Sequence, residues 1–301
     1  MKPPFVSIII VNFNSRDFLH QCLVSVYQHT KDVGFEIIVV DNSVADGVET
    51  MLQDNFPAVT YLSNPQNDGF GAANNKGLAL GHGDMIFFLN PDTVLTNNAV
   101  KCLADYLHHH QEVGACGGAL LNDDLTPQIS FGRFPTVTSL FFEFLFRKLF
   151  PTYYNNHLAM EGYVSGAKPF PVQYITGADM LVRRDVLAQV GAFDLDFFLF
   201  FEETELCHRI GRAGYEQMIV PDARIIHLCG KSTAQAASRK KVEWFEHSRL
   251  LFLTKTRGRL YARIYRHCAL WLCRLAVVLK GNADHWLFRR DALMSFKYDK
   301  S

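Results

Sequence analysis

The sequence predicts an α/β fold, a mostly parallel sheet flanked by helices, with a helical appendage at its C-terminal end. Three observations carry this expectation. Short apolar runs alternate with stretches of helical periodicity through the first 121 residues, which is the pattern of βαβ units. The runs are uniformly apolar rather than alternating, as in strands covered on both faces. Beyond residue 232 the strand-like runs stop and basic amphipathic stretches replace them.

Residues 5–11, FVSIIIV, are β-rich and apolar and stop at Asn12-Phe13-Asn14. Ser15 then reads as an N-cap with Asp17 in the first turn. Leu19, Cys22, Leu23, Val26 and Tyr27 recur at helical spacing and predict a helix to about residue 30. Residues 35–40 are the next strand, ending at Asp41-Asn42-Ser43; 45–55 form a short helix and 59–62 a third strand. A loop over 64–70 leads into a helix over 71–80. The fourth strand lies in MIFFLNPDT, 85–93, and ends at Asn90, Pro91 and Asp92. Residues 97–110 are helical and 113–121 strand-like. The pattern then breaks. LFFEFLFRKLF, 140–150, is too short to span a bilayer, and a buried helix, an acceptor lid and a membrane-touching edge are all open readings. Strand character resumes over 172–182, interrupted at Thr176-Gly177-Ala178-Asp179. A helix follows at 184–190, and FFLFF, 197–201, runs directly into Glu202 and Glu203. Residues 203–213 are helical, with Gly214 just past the end; 217–220 and 223–226 are short strands, the second delivering His227.

Residues 234–254 and 260–280 read as amphipathic helices. Trp271, Leu272, Leu275, Val278 and Leu279 make an apolar face beside Arg257, Arg259, Arg263, Arg266 and Arg274. The division expected is one domain over 1–232 and a basic helical region over 233–301. Formal net charge is zero, yet residues 239–301 hold 15 Lys and Arg against 5 Asp and Glu. Such asymmetry points to a basic appendage facing an anionic partner, an anionic membrane surface rather than nucleic acid. The competing reading has these helices pack on the rest of the chain or pair in a homodimer. Seven scattered cysteines without a CxxC pair predict reduced thiols in a cytosolic compartment, with no disulfide framework or zinc site. The N-terminus reads poorly as a signal peptide, and no apolar run reaches the about 20 residues a spanning helix needs.

Successive strand ends carry polar clusters: Asn12/Asn14, Asp41/Asn42, Asn67/Asp68 and Asn90/Asp92. One such cluster is a turn signal. Four on one sheet edge form a ligand crevice, because open α/β sheets bind ligands beyond their strand C-termini. Amides and carboxylates suit ribose and base edges, and the helix start at Gly71 offers backbone N–H groups to phosphate. Asp92 is a hard oxygen ligand for Mg²⁺ or Mn²⁺ beside a diphosphate, with His227 a candidate second ligand. Glu202, Glu203 and Glu205 begin a helix, where acidic residues also complement the dipole. The aromatic run before them would desolvate a carboxylate and raise its pKa, as a general base requires.

VSIIIVNFN, IIVVDNS, NDGFGAANNKG, FLNPDT and FDLDFFLFFEETELCHRIGRAGY occur in that order over roughly residues 5–232. Together they resemble family 2 glycosyltransferases with the GT-A fold, a Rossmann-like architecture. They most resemble the bacterial rhamnosyltransferase-like branch that builds O-antigen and cell-wall polysaccharides. The resemblance implies an inverting transfer from a nucleotide sugar, best guessed as dTDP-rhamnose, to a saccharide or polyprenyl-diphosphate-linked acceptor. It implies a catalytic domain over 1–232; the basic amphipathic helices beyond it are expected to dock it on the inner face of the cytoplasmic membrane. It places Asn12 and Asp41 at the nucleoside, with Asn14, Asn42, Asn67, Gly71 and Asn75 in the same nucleotide-sugar crevice. Asn90 and Asp92 stand where the family has its DxD motif, with Asn for the first Asp. Glu203 falls on the catalytic Asp of a Glu-Asp pair, which leaves the division of labour between Glu202 and Glu203 open. His227 with Ser232 matches the metal motif, and Gly177 and Ala178, followed by Asp179, match the acceptor side. Two rivals remain at this point. Gly69-Phe70-Gly71 begins a partial dinucleotide fingerprint, but its third glycine is Asn74. A catalytically silent membrane-surface scaffold would keep the same fold.

Overall fold

The computed structural model describes residues 5–43, 46–149, 161–228, 239–280 and 283–298. In chain order its elements are β1 (Phe5–Asn12), α1 (Arg16–His29), β2 (Gly34–Asp41), α2 (Val48–Asn55), β3 (Thr60–Ser63), α3 (Phe70–Leu80), β4 (Met85–Leu89), β5 (Thr93–Leu95), α4 (Ala99–His109) and β6 (Val113–Leu121). Then come β7 (Ile129–Gly132), α5 (Val137–Leu149), β8 (Glu161–Tyr163), β9 (Phe170–Val172), β10 (Tyr174–Ile175), β11 (Asp179–Arg183), α6 (Arg184–Val190), α7 (Glu202–Arg212) and β12 (Glu216–His227). Helices α8 (Arg239–Arg257), α9 (Arg259–Lys280) and α10 (Ala283–Ser295) close the chain. Two compact units result. One holds Met1–Gly132, Glu161–Asp196 and Glu202–Thr233; the other holds Arg133–Met160, Phe197–Phe201 and Ala234–Ser301.

The first unit is built on a sheet of order β3-β2-β1-β4-β11-β6-β12-β5, with β9 also on β12. Parallel pairing predominates: β3, β2, β1 and β4 run together, and β12 runs with β6. Strand β11 enters antiparallel between β4 and β6, and β5 and β9 run antiparallel to β12. A small antiparallel sheet, β10-β7-β8, lies apart. Successive residues of a strand face opposite ways, so a strand covered on both faces must be apolar throughout. Strand β4 shows this directly. Phe87 joins Ile8, Ile10, Leu23 and Val26 on one face, and Phe88 joins Ile9, Ala73 and Phe193 on the other. Burying each such ring contributes about 1.5–3 kcal/mol. Gly77 lets α3 approach the sheet: a Cβ there would lie 2.5 Å from Ile9 Cγ2.

The segments 217–220 and 223–226 belong to the one long strand β12 rather than two short ones. A register shift between Ile219 and Arg224 surrounds Pro221, which has no N–H to give the ladder. The stretch 172–182 conversely splits among β9, β10 and β11. Strands β5, β7 and β8 and helix α10 add to the expected set.

In the second unit Leu140, Phe197, Phe201, Leu250, Phe252, Leu253, Tyr265, Leu272 and Leu293 form a separate core. The Phe-rich segment therefore begins as core, with Phe141 and Phe144 packed against it. Side chains 145–150 lie outside the described residues, as does the start of the helix expected at 234. The apolar face read from sequence divides: Leu272 is buried, whereas Trp271 and Val278 face solvent. A charged knot crosses this core. Glu246 lies 2.9 Å from Arg289 Nε and 3.2 Å from Arg249 Nη1, and Arg249 also donates to Tyr265 Oη at 3.3 Å. No helix among the described residues is long and apolar enough to cross a membrane.

Candidate active site

Strands β2, β1 and β4 are parallel neighbours, so their C-terminal ends open on one edge. Asn12 pairs in register with Asp41, and its buried amide organises the corner. Nδ2 donates to Asp41 Oδ1 (2.9 Å), Asp46 Oδ2 (3.0 Å) and Ser43 Oγ (3.1 Å), while Oδ1 accepts from Ser15 Oγ at 2.9 Å. Tyr61 Oη donates to Asp41 Oδ2 at 3.3 Å. Asn14 is exposed, with φ 51°, and its amide donates to Ser43 Oγ at 2.7 Å. Asn42 Nδ2 donates to Asn67 Oδ1 at 3.1 Å and Asn42 Oδ1 accepts from Asn64 Nδ2. The polar side chains here thus form two clusters, one on Asn12 and Asp41 and one on Asn42, Asn64 and Asn67, tied by backbone bonds from Asn42 N to Asn12 O and from Asn64 N to Asp41 O.

Helix α3 starts at Gly69, whose φ of 101° suits glycine and whose cap position carries no side-chain hydrogen bond. Its first-turn N–H groups have no intrahelical partner, the arrangement that accepts an anion. Gly71 is a close approach: a Cβ would lie 3.1 Å from Phe193 Cβ and 3.7 Å from Glu202 Cβ. Asn75 is committed elsewhere. It donates to Phe193 O at 2.8 Å and accepts from Phe193 N at 3.0 Å, so its amide fixes that loop.

The second corner comes from pairing of β5 with β12, which sets Thr93 opposite His227. Asp92 is buried, and its Oδ1 lies 3.4 Å from His227 Nε2. Asn90 Nδ2 also lies 3.4 Å from that nitrogen. Gln128, which nothing in the sequence pattern singled out, sets the imidazole. Its Nε2 donates to Asn122 Oδ1 and His227 O, both at 2.8 Å, which fixes the amide orientation. Its Oε1 then sits 2.7 Å from His227 Nδ1. An amide oxygen only accepts, so Nδ1 carries a proton and Nε2 is the nitrogen turned toward Asp92. One hard carboxylate oxygen and one oriented imidazole nitrogen suit Mn²⁺ or Mg²⁺. No group of three His, Cys, Asp or Glu gathers among the described residues. Ser232 lies outside the described residues.

The third corner is reached through backbone. Asn90 N donates to Ala178 O at 2.9 Å, and Gly177 follows the same loop to Glu203, whose Cγ lies 3.6 Å from where a Gly177 Cβ would stand. Phe200 and Phe201, just before α7, have φ of 69° and 67°. Such left-handed backbone in bulky residues costs about 1–3 kcal/mol each and persists only where surroundings impose it.

The three carboxylates of α7 have separate environments. Glu205 lies 2.7 Å from Arg209, which also binds the carbonyls of Val190, Gly191 and Ala192, so it is a structural ion pair. Glu202 is buried, and Oε2 finds no hydrogen bond among the described residues. Burial, then the neighbouring Glu203, pushes its carboxyl well above the ordinary range. Glu203 remains partly exposed; burial raises it too, against Thr204 Oγ1, which donates to Oε1 at 3.2 Å. A raised carboxyl with solvent access can take a proton; a sealed one cannot pass it on. Asp179 is wholly buried, with Oδ2 accepting from Gly118 N at 2.7 Å, and burial raises its carboxyl well above the ordinary range. It backs the Gly177-Ala178 loop rather than facing out of it.

The family model for glycosyl transferase family 2 matches residues 7–191. The chain is 26% identical over 259 residues to the N-acetylglucosaminyl-diphospho-decaprenol L-rhamnosyltransferase of Mycobacterium tuberculosis, covering 82% of this chain and 80% of that one. It is 24% identical over 261 residues to the rhamnosyltransferase WbbL of Escherichia coli, covering 84% and 94% respectively. Among solved structures, GalNAc-T7 with UDP, GalNAc and Mn²⁺ superposes with a TM-score of 0.67 at 15% identity. That match covers 97% of this chain and 55% of the other, so this chain spans about half its length. At that identity the superposition speaks for the fold, a GT-A arrangement of mixed sheet and flanking helices. The family match extends over more than half of the sequence, from β1 through α6, and on it the chain belongs to glycosyl transferase family 2.

Proposed function

We propose that this protein transfers L-rhamnose from dTDP-rhamnose to a saccharide or polyprenyl-diphosphate-linked acceptor, with inversion at the anomeric carbon, in cell-surface polysaccharide synthesis. The observation that carries the reading is one run of contacts: His227 to Asp92, Asn90 to Ala178, and Gly177 to Glu203. In it the Asp92–His227 pair and Glu203 approach the Gly177-Ala178 loop from different elements, which supports reading them as a metal corner and a base. Rhamnose transfer is supported by both rhamnosyltransferase relatives, and a lipid-linked acceptor by the mycobacterial one alone.

In this reading the first compact unit is the catalytic domain, and residues 233–301 form a basic helical region. The corner built on Asp41, Asn42 and Asn67 lies at the nucleoside, with the buried Asn12 amide orienting Asp41, and the first-turn amides of α3 approach the diphosphate. Asp92 and His227 hold Mg²⁺ or Mn²⁺, with Gln128 fixing the imidazole. A cation bound there supplies positive charge against the departing nucleoside diphosphate. Glu203 takes the acceptor hydroxyl proton. That oxygen forms its bond to the anomeric carbon as the bond from that carbon to the diphosphate oxygen breaks. No covalent enzyme intermediate arises. The enzyme works as a peripheral protein on the cytoplasmic face of the membrane that holds its acceptor.

A thermal-shift series of nucleotide sugars with Mn²⁺ tests this. dTDP-rhamnose should raise Tm most in the parent chain and leave Asp92→Ala unshifted. A larger shift from another nucleotide sugar would overturn the donor; no shift from any would overturn the transferase reading.

A further inference from the structure

We infer that the outer face of α9 is the surface that seats this protein on an anionic lipid bilayer; the inference rests on the peripheral-membrane reading above and names the face responsible. Four large apolar side chains on this helix stand in solvent: Leu260 is 74% exposed, Ile264 47%, Trp271 56% and Val278 81%. At roughly 100° per residue they fall within about 40° of arc and run about 27 Å along the helix. Soluble monomers rarely leave so continuous an apolar strip in water. The opposite side of α9 is fully used: Ala262, Tyr265, Ala269, Leu272, Cys273 and Ala276 are buried. The exposed strip is therefore the surplus of a helix whose packing face is already covered.

Charge selects the occupant. Arg263, His267 and Arg274 are exposed on the same outer surface, immediately beside the apolar strip. No acidic residue occurs anywhere in α9. A helix with an aromatic and aliphatic strip flanked by cations lies in the plane of a membrane interface, its cations at phosphate level. A second copy of this chain fits less well. Positions 260, 264, 267, 271, 274 and 278 follow the alternating four-and-three spacing of a coiled-coil seam. A two-helix seam on them would bury Arg274 among Leu260, Ile264, Trp271 and Val278, leaving a cation desolvated without a partner.

Flotation of the full chain decides it, using phosphatidylcholine vesicles with and without phosphatidylglycerol at low salt. The parent should float with the mixed vesicles and not with phosphatidylcholine alone. Trp271→Ser with Val278→Ser should lower partitioning at least about ten-fold, and Arg274→Gln about five-fold. Val278 and Arg274 are exposed and Trp271 is half exposed, its ring 6.4 Å from Phe141, so circular dichroism should be unchanged and Tm should fall by a few degrees at most. Parent chain that fails to float with mixed vesicles, or a double variant that floats unchanged, overturns the inference. So does a double variant that converts a dimer to monomer in sedimentation without affecting flotation. Transfer to a water-soluble acceptor is read in parallel. Lost flotation with retained transfer supports this surface, whereas absent transfer in the parent counts against the catalytic reading alone.

Discussion

Replacing Glu203 by Gln preserves the shape of the side chain and removes its ability to accept a proton. A positioned general base contributes about 10²–10⁴ in rate, or about 3–5 kcal/mol of barrier. Turnover should therefore fall at least about 10²-fold, while donor affinity, held by residues on other strand ends, stays close to the parent value. Glu202→Gln is the matched control. Glu202 is sealed, and burial raises its carboxyl well above the ordinary range, so the amide resembles the protonated form already present. Its variant should stay active. The two also differ with pH. Burial raises Glu203, so it is protonated at low pH, and kcat/KM should climb through an acid limb above the usual glutamate range. Glu202 has a raised folded pKa, so its contribution to stability is full below the unfolded carboxylate pKa and is lost as pH rises. Glu202→Gln should consequently flatten the alkaline fall of Tm. The assay is initial-rate transfer over a pH series, with donor affinity from calorimetry. Loss in Glu202→Gln with Glu203→Gln unaffected would refute the reasoning, because burial would then not separate the two roles.

Three further outcomes follow from the same geometry. Asp92→Ala should abolish transfer and Mn²⁺ binding while remaining folded, as read by electron paramagnetic resonance titration; full activity in excess EDTA would remove the metal site. Gln128→Leu should weaken Mn²⁺ binding about ten-fold by releasing His227 Nδ1, with Tm within a few degrees of the parent, since orienting partners of metal-bound histidines typically matter by about 10–100-fold. Glu246→Ala should cost about 3–5 kcal/mol in denaturant unfolding, because it strands Arg249 and Arg289 without their buried counter-charge.

Much of the first unit could be read from local pattern. MIFFL is apolar at every position, and FVSIIIV at every position but Ser7, because both faces of β1 and β4 are covered, and that constraint is visible without partners. Asn12, Asp41 and Asn90 announced themselves as polar residues ending apolar runs, and parallel pairing brings those ends to one edge. What could not be read depends on distant pairing. Gln128 reaches His227 across 99 residues, and its hairpin leaves no periodic trace. The burial separating Glu202 from Glu203 comes from tertiary packing, so two adjacent identical residues looked equivalent. The resemblance put Asn75 in the crevice, whereas the bond from its amide to the Phe193 backbone depends on a contact 118 residues away. Trp271 and Leu272 are neighbours on one helix, and only the packing of the second unit's core decides which turns inward.

The most direct test of the central claim is the anomeric configuration of the first-formed product. The enzyme, Mn²⁺, dTDP-rhamnose and a soluble acceptor analogue are followed by proton NMR at early time. A single displacement with Glu203 as base and no covalent intermediate gives a glycoside whose anomeric configuration is inverted relative to the donor. A product that retains the donor configuration would contradict it, because retention requires a second displacement or a front-face route that this arrangement of Asp92, His227 and Glu203 does not provide.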